Sequence, residues 1–170
     1  MYIELKSKRL VLRPLVISDL ETTKDYCFDS DNIKYMHASI DYSLQGIKEY
    51  LLSTTLEWEK ENPSLYVFAI TLDGHHIGSI SLRINEDNSC ELGWMINRKF
   101  HNQGYATEAA EELLKFAKNQ LKINHFIAHC DSENIASSRV MEKIGMIKTG
   151  EGPREGRRAF AREYIYELTI

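Results

Sequence analysis

The sequence of 170 residues has no apolar run long enough to cross a membrane and no apolar stretch behind its first charges. A membrane-spanning helix needs about 20 consecutive apolar residues, and a secretory signal needs an apolar segment after a basic start. We therefore expect no membrane association and no export. Lysine and arginine number 21 against 25 acidic residues, which gives a formal net charge of −4. Because nucleic-acid-binding surfaces normally show a basic excess, we expect no nucleic-acid partner.

Cysteine is scarce, and its spacing suits neither a disulfide framework nor a metal site. The three cysteines, Cys27, Cys90 and Cys130, are scattered, and no C-x-x-C pair occurs. Six histidines are present without H-E-x-x-H or a comparable metal-ligand spacing. We therefore expect no metal centre and a reducing, cytoplasmic setting.

No repeat, low-complexity tract or linker rich in proline, glycine and serine interrupts the chain. A hydrophobic fraction of 43% is enough for one substantial core, so we expect a single domain over residues 1–170. Alternation from Leu10 predicts a strand that Pro14 closes, and "SDLE" from Ser18 is a capping-box pattern for a first helix. A longer helix is predicted from Ser43 to Glu61.

The middle of the chain changes to the period of two that is typical of strands. The segments "LYVFAITL", "GSISLRI" and "ELGWMI" are separated by the hairpin signal Asp73-Gly74 and by the turn "NEDNS". They predict a three-stranded antiparallel meander.

The strongest helical pattern follows this meander. Apolar residues recur at helical spacing from Ala106 to Leu121, with glutamates and lysines on the other face. The strand "HFIAHC", a helix "NIASSRVMEKIG" ending at Gly145, and the strands "MIKTGEG" and "AREYIYELTI" complete the chain. The order β-α-α-β-β-β-α-β-α-β-β indicates an α/β fold with a mixed central sheet flanked by helices.

The turn before the strongest helix has the composition of an anion-binding site. It runs from Asn102 to Thr107, and Gly104 permits backbone angles and a close ligand approach that other residues forbid. The free N–H groups of a first helical turn and the helix dipole attract anions such as pyrophosphate. An ordinary helix start explains the same residues, and neither G-x-x-x-x-G-K-[ST] nor G-x-G-x-x-G occurs in the chain.

Two motifs at the expected separation carry a resemblance to a known family. "NRKFHNQGYATEAAEELLKFA" followed by "CDSENIASSRVMEKIGM" resembles the GCN5-related N-acetyltransferases, and most of all the branch of ribosomal-protein N-terminal acetyltransferases. The second motif matches the family pattern N-x-x-S-x-x-x-x-E-K-x-G-F from Asn134 to Gly145, with Met146 where phenylalanine is usual. The termini "RLVLRPL" and "REYIYEL" are similar to that branch too. The resemblance implies the single-domain acyl-CoA N-acyltransferase fold over almost the whole chain.

The resemblance implies acetyl-CoA as cofactor. Its pyrophosphate would lie on the amides from Asn102 to Thr107, and His101 stands at the family's Gln/Arg position, as a phosphate contact or as a surface residue. Its pantetheine arm would enter the gap between the strand ending in Met95-Ile96-Asn97 and "HFIAHC". Asn134 and Ser137 would contact the pantetheine, although Asn134 also suits a plain helix cap. The implied cofactor-binding residues are Met95, Ile96, Asn97, His101, Asn102, Gln103, Gly104, Tyr105, Ala106, Thr107, Asn134, Ser137 and Arg139, the last of which equally suits a solvated helix face.

Acetyl transfer requires a base for the amine and a donor for the leaving thiolate. The resemblance implies Glu91 as the base, and its same-face neighbours Gly93 and Met95 offer little polar company. An exposed strand glutamate without a role is the alternative. Many relatives have a tyrosine as the general acid, and the corresponding position here is Met141, which cannot donate a proton. Ser137 is therefore the candidate hydrogen-bond donor to the cofactor sulfur.

The acceptor is an amine whose class the sequence leaves open. The leading hypothesis is a protein or peptide N-terminus, and the alternatives are a small amine, such as a polyamine or aminoglycoside, or a catalytically weak acyl-CoA-binding module. A basic cluster between Arg154 and Arg162 is a solvated loop or a contact for an acidic acceptor. We expect a monomer or a homodimer.

Overall fold

Alternating apolar residues build an eight-stranded mixed sheet in the computed structural model, which describes residues 2–170. The strands lie side by side in the order β1-β2-β3-β4-β5-β6-β8-β7. Their bounds are β1 Leu5–Lys6, β2 Leu10–Pro14, β3 Leu65–Leu72, β4 His75–Ile84, β5 Cys90–Ile96, β6 His125–Asp131, β7 Ile147–Pro153 and β8 Arg162–Thr169. Among these strands only β5 and β6 pair in parallel.

Helices cover both faces of this sheet. They are α1 Leu20–Cys27, α2 Ser30–Ile33, α3 Leu44–Glu59, α4 Tyr105–Phe116 and α5 Ile135–Lys143. Short 3-10 turns precede α1 and follow β5, and a π-helical turn extends α4. The larger core lies beneath α4 and α5, and a smaller one lies beneath α1 and α3. None of the helices within residues 2–170 is long and apolar enough to cross a bilayer.

The predicted α/β fold and its meander are confirmed, with three local differences. The two-residue strand β1 and the four-residue helix α2 were not predicted, because neither is long enough to show a period. The capping-box prediction at Ser18 is wrong: Ser18 lies inside a 3-10 turn, and Asp19 precedes α1. Ser43 does cap α3, since its hydroxyl accepts a hydrogen bond from the Gly46 N–H at 3.1 Å.

The two parallel strands separate before they end. Only three residue pairs join β5 to β6, from Cys90 opposite Phe126 to Leu92 opposite Ala128. Yet β5 continues to Ile96 and β6 continues beyond Ala128. The carboxyl ends of both strands therefore border an open gap, and the helices that follow them, α4 and α5, begin at its edge. Ligands of α/β sheets commonly bind at such a position.

Candidate active site

A cavity of about 380 Å³ occupies the gap between β5 and β6. Its walls are the end of β5, the turn that precedes α4, the first turns of α5, and two residues in and just after α2, Asn32 and Met36. The cavity is lined by Asn32, Met36, Trp94, Met95, Ile96, Phe100, His101, Asn102, Gly104, Tyr105, Ala106, Thr107, Asn134, Ile135, Ala136, Ser137, Arg139, Val140 and Lys143. Its volume falls in the range of small-molecule sites, about 300–1,000 Å³.

The turn before α4 has the backbone geometry of an anion site. Gly104 is the N-cap of α4 with φ of +81°, in the left-handed region that favours glycine. The first helical hydrogen bond runs from the Glu108 N–H to the Gly104 carbonyl, at 3.0 Å. The N–H groups of Tyr105, Ala106 and Thr107 therefore have no helical acceptor, and these residues line the cavity.

Arg9 braces this turn, a role that the sequence did not reveal. Its guanidinium donates to the Gln103 carbonyl at 3.1 Å and to the Glu108 carboxylate at 2.7 Å, and it stacks over the Tyr105 ring at 4.5 Å. Burial would raise the pKa of Glu108, but hydrogen bonds from Ser7 and Arg9 outweigh it and hold the pKa below its usual value. The ion pair thus fixes the first turn of α4 against the N-terminal strands.

Several of the predicted cofactor residues use their side chains within the protein. The His101 Nε2 donates to the Ile96 carbonyl at 2.8 Å, although His101 still lines the cavity. The Asn97 side chain accepts from the Lys99 N–H at 3.1 Å, and Gln103 accepts from the Tyr105 hydroxyl at 3.3 Å. Asn97 and Gln103 do not line the cavity, whereas the other predicted cofactor residues do.

The first turn of α5 forms the opposite wall. The Asn134 side-chain oxygen accepts from the Ser137 N–H at 3.2 Å, so Asn134 caps the helix. Its amide nitrogen has no hydrogen-bond partner in the described part of the chain and can meet a ligand. The Ser137 hydroxyl has no hydrogen-bond partner within residues 2–170, and Ser137 lines the cavity. Arg139 is exposed at the cavity edge. Met141 is 2% exposed and packs in the core, so no side chain enters the cavity from that position.

Glu91 lies on the side of the sheet that is covered by α1 and α3, hereafter the α3 face. Its neighbours Cys90 and Leu92 are buried beneath α4, and alternation turns Glu91 to the other side. Glu91 pairs with Arg83 on β4 and with Ile127 on β6, next to the last pair before the strands separate. Glu91 is half-buried and does not line the cavity, so its side chain borders the gap on the α3 face and not on the face beneath α4.

Comparison with known proteins decides the family. Residues 9–147 match the family model described as "Acetyltransferase (GNAT) domain". The chain belongs to the GNAT acetyltransferase family. It is 29% identical over 144 residues to the uncharacterized N-acetyltransferase YnaD of Bacillus subtilis, covering 85% of this chain and 82% of YnaD.

Solved structures agree with this assignment. A GNAT-family acetyltransferase from Bacillus anthracis superposes with a TM-score of 0.82 at 29% identity, over 98% of each chain. The ribosomal L7/L12 α-N-protein acetyltransferase RimL, solved with coenzyme A, has a TM-score of 0.87 at 15% identity, over 99% of this chain and 98% of RimL. The second likeness shows the fold alone. This GNAT protein is an acetyltransferase with the family's mixed sheet.

The basic cluster of this GNAT protein is occupied by internal contacts. Arg154 donates to Glu163 at 2.9 Å, Arg158 to the fully buried Asp131 at 2.7 Å, and Arg162 to Glu151 at 3.3 Å. Arg157 donates to the Ile40 carbonyl and lies 4.8 Å from the centre of the Tyr42 ring. Arg157 and Arg162 are exposed, as expected of a solvated loop, while the guanidinium groups also have partners within the chain.

These contacts fasten the loop between β7 and β8 across the α3 face. The Ala38 N–H donates to the Glu155 carbonyl at 2.7 Å, and His37 forms a β-bridge with Gly156. The segment between α2 and α3 is therefore tied to the β7–β8 loop. This connection could not be predicted from the sequence, because its two sides lie more than a hundred residues apart.

Proposed function

We propose that this protein transfers the acetyl group of acetyl-CoA to the α-amine of a peptide or protein N-terminus. The observation that carries the proposal is the gap between β5 and β6, with the bare first turn of α4 at one end and the acceptor side of the sheet at the other. Acetyl-CoA supplies the activated acetyl group. The likeness to RimL in fold supports the N-terminal acceptor class.

The cavity has residues that suit the pyrophosphate of CoA, its pantetheine arm and a phosphate at the cavity edge. The amides of Asn102–Thr107 would take the pyrophosphate, whose charge the positive end of the α4 dipole favours. The backbone beside Met95 and Ile96, which β6 leaves unpaired, would hold the pantetheine as an added strand does. The free amide nitrogen of Asn134 would donate to the same arm, and Arg139 would meet a phosphate at the cavity edge.

Glu91 and Ser137 act on the two reacting partners: Glu91 on the acceptor amine and Ser137 on the sulfur that leaves. The acceptor arrives as an ammonium ion, which has no lone pair, and Glu91 takes its first proton directly or through a water molecule. Ser137 has an unpaired hydroxyl in the cavity and donates a hydrogen bond to the sulfur as the thiolate leaves. Since Met141 is buried in the core, the single proton that converts the leaving thiolate to a thiol comes from solvent.

A small amine is the second candidate acceptor, and one observation favours it. The β-bridge between His37 and Gly156 joins the α2–α3 segment to the β7–β8 loop. The two joined segments cover part of the α3 face, through which the acceptor must approach. A covered approach favours a small molecule over an extended peptide. The free thiols of the three buried cysteines suit a reducing compartment, and we place either reaction in the cytoplasm.

Thiol release from acetyl-CoA across a panel of amines tests the proposal. The panel pairs peptides with a free N-terminus with the same peptides blocked by acetylation, and it adds polyamines and aminoglycosides. We expect release with free peptides alone. Release with small amines and not with peptides would replace the N-terminal acceptor, and CoA binding without any amine-dependent release would indicate a binding module.

A further inference from the structure

His129 stands at the mouth of the gap and has no part in the chemistry described above. Its strand neighbours Ala128 and Cys130 are buried beneath α4, so its ring lies on the α3 face, as Glu91 does. Ala128 is the last residue of β6 that pairs with β5, opposite Leu92. His129 is thus the first residue of β6 to border the open gap.

A glycine lies across the gap from His129. A continued register would set Gly93 opposite His129, because Leu92 pairs with Ala128. Gly93 has no side chain, and its neighbour on β4 is the small Ser81, whose hydroxyl would lie 3.1 Å from a Cβ at Gly93. The residue across the gap therefore presents no side chain of its own to the imidazole, and Ser81 is the side chain nearest to that position.

A carboxylate lies beside the imidazole on the side of β8. The His129 Nδ1 lies 3.5 Å from Oε1 of Glu163 on β8, and the other Glu163 oxygen accepts from Arg154 at 2.9 Å. The side chains of His129 and Glu163 are 32% and 23% exposed. Within residues 2–170 no group hydrogen-bonds the His129 Nε2, which leaves this nitrogen able to accept a proton.

We propose that His129 is a second catalytic base of the transfer reaction, with Glu163 as the residue that positions its ring. The inference rests on the proposed function, because it assigns a role within acetyl transfer to an amine. The arrangement of base and orienting carboxylate is one that proteins use to hold a histidine in one tautomer and orientation.

Two protons must leave the acceptor nitrogen during the reaction. The first leaves the ammonium ion and passes to Glu91. The neutral amine then forms a C–N bond to the acetyl carbon, and the nitrogen becomes positively charged while it still carries one proton too many. His129 Nε2 takes that second proton as the C–S bond breaks. The thiolate gains a proton from solvent, so the products are the amide, CoA and one net proton.

Several charged groups lie near His129 on or beside β6. They are Glu163 on β8 with Arg154 behind it, Asp131 on the same strand and face with its partner Arg158, and Glu91 on β5. The residue directly opposite His129 on β8 is Ile165, which is apolar. Two carboxylates with their own arginine partners thus flank the ring, and Glu91 reaches the gap from the other strand.

Replacement of His129 by glutamine tests the proposal, with His125→Gln as a matched control. His125 lies on the same strand and face and contacts a carboxylate, Glu167, at 3.0 Å, but it sits at the paired end of β6 away from the gap. With the best acceptor from the amine panel, His129→Gln should lower kcat about 10²-fold. It should also change the pH profile of kcat, because a proton-accepting group has been removed. His125→Gln should change neither, and calorimetry should show the wild-type CoA affinity for both.

Glu163→Gln supplies an independent measurement, which also serves if His129→Gln does not fold. It should lower kcat in the wild-type background and have no further effect in the His129→Gln background, since Glu163 acts through His129. A folded His129→Gln variant with wild-type kcat and pH profile would overturn the inference, as would a Glu163→Gln variant with wild-type kcat. A wild-type protein that acetylates no amine would instead overturn the proposed function.

Discussion

Replacement of Gly104 by alanine separates the anion site from an ordinary helix start. Gly104 and Gly74 both have φ of +81°, and Gly74 lies in the β3–β4 turn, away from the cavity. A Cβ at Gly104 would meet only the Arg9 guanidinium, at 3.5 Å, and one at Gly74 would meet nothing within 4 Å. Neither methyl group therefore clashes in the free protein, and the two substitutions share one backbone cost.

The shared cost is the strain of an L-residue in the left-handed region, about 1–2 kcal/mol. For a chain of this size, each kcal/mol lowers Tm by about 2–4 °C. We expect both variants to fold with similar losses of Tm. In Gly104→Ala the strained turn also displaces the N–H groups of Asn102–Thr107, and the Kd for CoA should rise about tenfold, equivalent to about 1.4 kcal/mol.

Isothermal titration with two ligands makes the comparison specific. CoA should bind Gly74→Ala as it binds the wild type, and Gly104→Ala more weakly. Pantetheine lacks the pyrophosphate, so its affinity should be the same for Gly104→Ala and the wild type. If folded Gly104→Ala keeps the wild-type affinity for CoA, the turn is a helix start and nothing more.

Three further substitutions test other parts of the account. Asn134→Ala should cost about 1 kcal/mol of stability through the lost cap. It should also weaken acetyl-CoA binding by about 1–3 kcal/mol. A lower Tm with unchanged acetyl-CoA affinity would show that Asn134 is a helix cap only. Glu91→Gln should lower kcat by about 10²–10⁴-fold without altering acetyl-CoA affinity, and wild-type kcat with an unchanged pH profile would remove Glu91 from the mechanism. Burial raises the pKa of Asp19, but hydrogen bonds from Arg13 and the Val16 N–H lower it more, so its folded pKa lies below the unfolded one. Asp19 therefore contributes stability above its unfolded pKa that is lost as pH falls through the folded value, and denaturation of Asp19→Asn should lack that acid dependence.

The parts of the fold that follow from local periodicity were predictable. Strand β3 is a continuous apolar run, β4 and β5 alternate with a period of two, and α4 carries its apolar residues at helical spacing. Strand β1 has two residues and exists only through its pairing with β2, so no local signal announces it. The same holds for α2, which has four residues.

The residues of the site differ in the same way: those with a local signal were predictable, and those whose partners are distant in sequence were not. Gly104 and the residues around it could be found because a turn and a helix start are local features. Arg9 could not, because its partner Glu108 lies 99 residues away along the chain. The partners of the basic cluster could not be predicted for the same reason: charge alone does not show that Arg158 pairs with the buried Asp131. His129 and Glu163 likewise meet only when β6 and β8 pair.

A crystal structure of the complex with CoA tests the central claim most directly. We predict the pyrophosphate within hydrogen-bond distance of the N–H groups of Asn102–Thr107 and the pantetheine between β5 and β6. The thiol should emerge towards Glu91 and His129 on the α3 face. CoA bound elsewhere, or β5 and β6 paired beyond Leu92 and Ala128 with no room for the pantetheine, would contradict the account.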